Sequence, residues 1–329
     1  MTRPDARIVL ALLAGALLLP LPLHVAALAA FGLPHVVWEL WFLRACYGAR
    51  WRPGWWLALW SVLSLQAAAR AAHWLGALDA EVVQAADLAT LALAAMLVAL
   101  APRGTGMAAR AAGAALALGT FLALRHGDFL VVLACLAIAH NFTPVALAWD
   151  MAREDGDMRP FATLVGALFA LPLAVACLPL SLVLPLEVQA AQAALLEAQL
   201  PPGWGGAQRG QLLCAIVLAQ CLHYYCVIRL LPEAERRRSG RPVASRGARL
   251  LAIGAAVAML ACFAVDHAEA RRLYAVSAGL HAWLEWPVLA MALLGAATRN
   301  GAPVSGAARS SPRPASCPPR STAFPRIGR

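Results

Sequence analysis

The sequence predicts an all-α membrane protein, a polytopic bundle of about nine or ten transmembrane helices, and three observations carry the prediction. Hydrophobic residues make up 61% of the 329-residue chain and charged residues 13%, whereas soluble domains are roughly 45–50% apolar. The mean hydropathy is +0.68. Uncharged windows near the roughly 20 residues that cross a bilayer as helix recur along the chain, with the arginines gathered between them. That composition excludes a soluble α/β domain.

In chain order the windows cover 8–31, 54–69, 82–101, 111–124, 129–149, 161–184, 211–228, 250–265 and 273–297. The first follows Arg3 and Arg7 as a signal peptide would, but it has no small-residue cleavage site and continues without charge, so it is read as a retained helix. A further helix hides behind it: Phe31-Gly32-Leu33-Pro34 is a turn signal, and Pro34 suits the first turn of a helix running through His35, Glu39 and Phe42 to Tyr47. The segment 188–200, with Gln189, Gln192 and Glu197 among alanines and leucines, suits a short helix lying in the interface. Residues 1–299 therefore form the transmembrane domain, and 300–329, rich in Ser, Pro, Ala and Arg, form a disordered basic tail.

The net charge of +10 does not point to nucleic acid, because the arginines mark loops and not one amphipathic face. Arg44, Arg50 and Arg52, then Arg103 and Arg110, then the block Arg236, Arg237, Arg238, Arg241, Arg246 and Arg249 make alternate loops basic. The positive-inside tendency then puts both termini in the cytoplasm of a multi-pass inner-membrane protein. The loop from Asp150 to Arg159 breaks the pattern, since Glu154, Asp155 and Asp157 leave it acidic. The eight cysteines contain no C-x-x-C pair, and those in apolar runs read as small buried hydrophobes.

Ionisable side chains inside spans are expensive and mark function by default. His35, His140, His223 and His281 all lie inside spans, and His35 and His281 carry Glu39 and Glu285 four residues on. His140, His223 and His281 fall about 11, 12 and 8 residues into helices that run the same way, so they reach a similar depth, at about 1.5 Å per residue. Residues i and i+4 share a helix face, which brings each glutamate under its histidine. Imidazole and carboxylate donors suit divalent iron, zinc, manganese or copper, and mixed histidine and carboxylate shells with open positions suit iron and dioxygen. The glutamates are read either as ligands or as acceptors that hold each imidazole in one tautomer, with pairing to Arg44 or a tryptophan indole as the bland alternative. Asn141 and Tyr224 adjoin site histidines but face elsewhere on their helices, and His24, His73, His126 and His267 are read as solvated or interfacial. Most of the eleven tryptophans suit interfacial anchoring, while Trp38, Trp41, Trp283 and Trp286 flank the paired motifs and are placed to wall a cavity for a lipid or polyene.

Gly32-Leu33-Pro34-His35-Val36-Val37-Trp38-Glu39 resembles the Gly-(Ile/Leu)-Pro-His-Gly-x-x-Asp signature of the bacterial and archaeal β-carotene 15,15'-dioxygenases, the Brp/Blh-like membrane proteins. His140, His223-Tyr224-Tyr225 and His281 resemble that family's later histidines. The resemblance implies four histidines holding Fe(II), with Glu39 and Glu285 as catalytic candidates that orient them or complete the shell. It also implies dioxygen and an apolar, membrane-soluble substrate such as a carotenoid cleaved to retinal. Val36 stands where the family has glycine and Glu39 where it has aspartate, which reshapes the pocket. No His-Glu-x-x-His, repeated His-x-x-His-His or Gly-x-Ser-x-Gly motif occurs. Two other classes meet the same histidines: a transporter with an intramembrane proton or metal-ion pathway, and a carrier of b-type haem held by histidine pairs.

Overall fold

A proline decides where the first long helix begins. In the computed structural model, which describes residues 3–101, 107–126, 129–177, 209–240 and 242–295, α1 (Arg3–Leu18) ends and α2 (Pro20–Tyr47) starts at once. Leu19, at φ −139° and ψ 55°, leaves the helical region, as a residue before proline is pushed to do. The turn expected at Phe31–Pro34 is absent: Pro34 lies inside α2. An interior proline removes the N–H that the carbonyl four residues earlier would accept, a loss that neighbouring helices make tolerable in a membrane bundle.

The chain continues through α3 (Pro53–Trp74), α4 (Ala80–Ala99) and α5 (Met107–His126). The window 129–149 is two helices, α6 (Phe129–His140) and α7 (Thr143–Glu154), broken at Asn141 and Phe142. Pro144 in the first turn of α7 favours the restart. The broken ends are satisfied locally: Asn141 Nδ2 donates to the Ala137 carbonyl at 3.2 Å and Thr143 Oγ1 to the His140 carbonyl at 2.8 Å. After α8 (Arg159–Cys177) and α9 (Arg209–Tyr225), a π-turn over Cys226–Leu230 leads into α10 (Leu231–Ser239), followed by α11 (Arg246–Val265) and α12 (His267–Gly295). No strand occurs among the described residues, and the protein is an all-α bundle. The interfacial segment 188–200 and the tail 300–329 lie outside the described residues.

Five described stretches are long and apolar enough to cross a membrane: Pro20–Tyr47, Ala80–Ala99, Gly156–Cys177, Arg209–Ser239 and Arg246–Val265. The count falls below the nine or ten expected for physical reasons. The break after His140 halves one window, and α12 carries His281, Glu285, Pro287 and two tryptophans within its apolar run. The outward faces still suit lipid, since Leu250, Leu251, Ile253 and Val257 of α11 are all more than half exposed. These helices mark a multi-pass membrane protein.

Ion pairs orient the bundle. Arg50, just past α2, meets Asp150 at 3.1 Å and Glu154 at 2.8 Å, both in α7, and Arg238 of α10 meets Glu154 at 3.0 Å. Arg153 donates to the Leu293 carbonyl near the end of α12. The C-terminal ends of α2, α7, α10 and α12 therefore share one end of the bundle, so the four histidine-bearing paths run parallel, as their sequence positions require. The acidic exception at Asp150–Arg159 has its account here: Asp150 and Glu154 pair with Arg50, just past α2, and Glu154 also pairs with Arg238 of α10. At the opposite end Arg70 of α3 binds Asp87 of α4 at 2.5 and 2.8 Å and the Ala275 carbonyl of α12 at 2.7 Å. Gly279 makes that approach possible, since a Cβ there would sit 2.7 Å from the Arg70 guanidinium.

Candidate metal centre

His35 and Glu39 on α2, His140 at the end of α6, His223 on α9, and His281 and Glu285 on α12 come together in the core, each under one-tenth exposed. The ligand atoms of His35, Glu39, His140, His223 and His281 lie within 4.8 Å of one another. Nε2 of His281 is 3.0 Å from Nε2 of His35 and 3.1 Å from Nε2 of His140. Glu39 Oε2 lies 3.6 Å from Nε2 of both His223 and His281. Glu285 stands behind His140, its Oε2 2.6 Å from Nδ1, in a contact bent away from hydrogen-bond geometry.

The tautomers follow from the partners. His35 Nδ1 lies 3.1 Å from the Phe31 carbonyl and His281 Nδ1 3.4 Å from the Ser277 carbonyl, each one turn earlier on its own helix. A carbonyl only accepts, so both Nδ1 atoms carry the proton and, in neutral rings, both Nε2 atoms are bare lone pairs. Lone pairs facing each other at 3.0 Å repel unless a cation lies between them. The separation matches ligands of one ion, because imidazole nitrogens about 2.1 Å from a metal stand about 3.0 Å apart when their bonds meet at a right angle. Both Glu39 oxygens and both His223 nitrogens are buried without a hydrogen-bond partner among the described residues, a state costing about 1–3 kcal/mol per group and more for a charged one. Those orphaned atoms fit a bound metal ion.

All six predicted residues thus meet at one site, with one rearrangement: each glutamate serves histidines of other helices and not the one four residues before it. Arg44 has its guanidinium 5.9 Å above the Trp41 ring, and no ion pair joins it to either glutamate.

No family model, no curated protein and no solved structure matches the chain.

Several neighbours of the cluster depart from the sequence reading. Tyr224 packs its ring 4.2 Å from that of His35, and its hydroxyl accepts from Gln220 Nε2 at 2.7 Å. Its direction on α9 does differ from that of His223, but α9 is buried on nearly every side, so each direction meets a neighbour. His24, expected to be solvated, is buried, with Nδ1 2.7 Å from Gln220 Oε1. It is buried because α2 begins at Pro20, which places His24 inside the bundle. Tyr274 of α12 closes the same corner, its hydroxyl 3.5 Å from that of Tyr224 and its ring against Gly32, where a Cβ would stand 3.1 Å from Cε2. Asn141 has the structural role expected of it, and His73 and His267 are half-buried. The side chain of His126 lies outside the described residues.

Proposed function

We propose that the cluster is a non-haem iron centre within the membrane and that the protein is an oxygenase-like enzyme acting with dioxygen on an apolar substrate, a carotenoid or lipid. The observation that carries this is the convergence of bare Nε2 atoms beside an unpartnered buried carboxylate. Nitrogen and oxygen donors without a thiolate favour iron over cluster or structural zinc chemistry. The resemblance of Gly32 to Glu39 and of the later histidines to the Brp/Blh-like dioxygenases supports the same reading. When bound, iron supplies the one-electron chemistry that dioxygen requires.

The protein residues have separable tasks. His35, His140, His223 and His281 offer neutral nitrogens, and Glu39 offers the negative charge that offsets the cation. The Phe31 and Ser277 carbonyls fix the rings of His35 and His281, and Glu285 lies against the Nδ1 side of His140. Burial excludes bulk water. Of the four, His140 is the most exposed, at 8%.

The test is metal analysis of detergent-purified protein. Near-stoichiometric iron in the wild type and its loss in a folded His140→Ala, His223→Ala double variant are expected, together with oxygen-dependent carotenoid or lipid turnover. Absence of bound metal in the wild type rejects the shared centre. The break directly after His140 favours a second reading, a metal-ion pathway, since discontinuous helices border ion sites in transporters; iron uptake into proteoliposomes would select it. Haem fits poorly, because axial imidazoles need a macrocycle between them and these Nε2 atoms crowd a single point.

A further inference from the structure

At the end of the bundle that carries the basic loops, a cavity of 860 Å³ opens between α2, the start of α8, the π-turn with α10, and the loop into α11. Arg229, Arg236, Arg237 and Arg249 line it, together with the carboxylates of Asp5, Asp157 and Glu233. Four arginines against three carboxylates leave one positive charge in excess. Much of the remaining wall is apolar, with Trp38, Phe161, Leu164 and Ile228 among its side chains. A wall that is cationic in one part and greasy in another matches an anionic amphiphile better than a wholly polar or a wholly apolar molecule.

The carboxylates leave the arginines with donors to spare. A guanidinium carries five N–H donors in a planar fork. Arg229 reaches Asp5 through Nε at 3.2 Å and Arg237 reaches Glu233 through Nε at 3.0 Å, so the terminal Nη groups of both make no ion pair among the described residues. Arg236 uses Nε and Nη2 on Glu233, at 2.9 and 2.8 Å, and keeps Nη1. Arg249 forms no ion pair among the described residues. The acids therefore steady three guanidinium groups by one edge and leave N–H groups of the kind that phosphate oxygens accept from in pairs. The positive-inside tendency accounts for arginines in this loop, but not for three of them held by carboxylates around one cavity. The π-turn Cys226–Leu230 supplies Ile228 and Arg229 to the wall, and single π-turns recur at functional sites.

We infer that this cavity binds an anionic phospholipid, with Arg229, Arg236, Arg237 and Arg249 donating to the head phosphate and an acyl chain lying along Trp38, Phe161, Leu164 and Ile228. The single excess positive charge is the complement of a monoanionic head. Free phosphate offers the same oxygens, but the apolar wall favours a source that carries a chain. Leu250 and Leu251, which follow Arg249 on α11, are exposed and continue that apolar surface outward. Basic pockets between helices on the cytoplasmic side are where such head groups are recognised. None of the six metal-cluster residues lines the cavity, so the inference does not depend on the metal-centre reading.

The experiment titrates full-length protein, delipidated and immobilised in detergent, with radiolabelled dioleoylphosphatidylglycerol. Dioleoylphosphatidylcholine, glycerol phosphate and inorganic phosphate serve as competitors. Wild type is expected to retain the anionic lipid with the phosphatidylcholine competing at least roughly tenfold less well. Arg237→Gln and Arg249→Gln are each expected to weaken retention roughly fivefold, the effect of about one arginine near an anionic head, and the pair roughly 25-fold. An Arg52→Gln, Arg110→Gln variant removes the same charge from other basic loops and is expected to bind as wild type does. Equal loss in that variant, or no loss in the cavity pair, reduces the effect to overall charge and overturns the site. Displacement of the lipid by either soluble phosphate at equal concentration identifies a soluble anion as the occupant and overturns the lipid assignment, and phosphatidylcholine competing equally overturns the charge-selective head. Leu164→Trp fills the apolar part and is expected to weaken the lipid at least roughly tenfold. Unchanged retention in the folded variant overturns the placement of the chain; if it aggregates on gel filtration, Ile228→Trp decides the same question.

Discussion

Glu39 and Glu285 hold the same offset from a histidine in sequence and opposite positions in the site. Glu39 Oε2 faces Nε2 of both His223 and His281, whereas Glu285 stands behind His140 on its Nδ1 side. Their amide variants should therefore diverge. Glu39→Gln removes the negative charge beside the converging lone pairs and should abolish retention of iron through purification. Glu285→Gln keeps an oxygen for His140 Nδ1 and should weaken iron by roughly 10–100-fold, the usual effect of losing a ligand's supporting partner; competition with a calibrated chelator measures both. The six site residues were legible in the sequence because ionisable groups inside apolar windows stand out. Tyr224, Tyr274 and Gln220 were not, because a tyrosine or glutamine in such a window is ordinary and only its neighbours show its part.

At the scale of the helix, prolines and carboxylates determine how segments end and dock. Pro20 and Pro34 both lie in α2, yet only the first starts a helix: Leu19 is free to leave helical angles, while Pro34 is held inside a packed stretch and loses only one ladder bond. Asp150 shows the same dependence on surroundings. It accepts from Tyr47 at 2.9 Å and from Arg50 at 3.1 Å while buried. Asp150→Ala should cost about 3 kcal/mol, the low end for breaking a buried pair because Arg50 retains some solvent contact. The check is thermal melting in detergent, with Glu233→Ala on the exposed face of α10 as the control that leaves the melting temperature unchanged.

The molecule as a whole has two charged ends and an apolar middle. The end joined through Arg50, Glu154 and Arg238 carries the basic loops, and the end holding Trp74 and Glu269, 3.1 Å apart, lies opposite. In a variant freed of native cysteines, Arg246→Cys and Ala77→Cys should react with a membrane-impermeant thiol reagent from opposite sides of sealed vesicles. The former should be reached from the cytoplasmic side if the positive-inside tendency holds. Labelling of both from one side would refute the parallel arrangement of the four histidine-bearing paths, and with it the common depth of the cluster.

Composition and periodicity by themselves determined that the chain is a helical membrane bundle, since a bilayer admits few other ways to satisfy the backbone of so apolar a sequence. They also determined which ionisable residues would share a layer, because helix rise converts position in a span into depth. Only the tertiary structure decided that Glu39 faces the nitrogens while Glu285 stands behind His140, that α6 breaks after His140, and that four arginines line one cavity with Trp38. Those outcomes depend on the rotation and neighbours of each helix, which arise from packing between segments far apart in the chain and leave no periodic mark within any one of them.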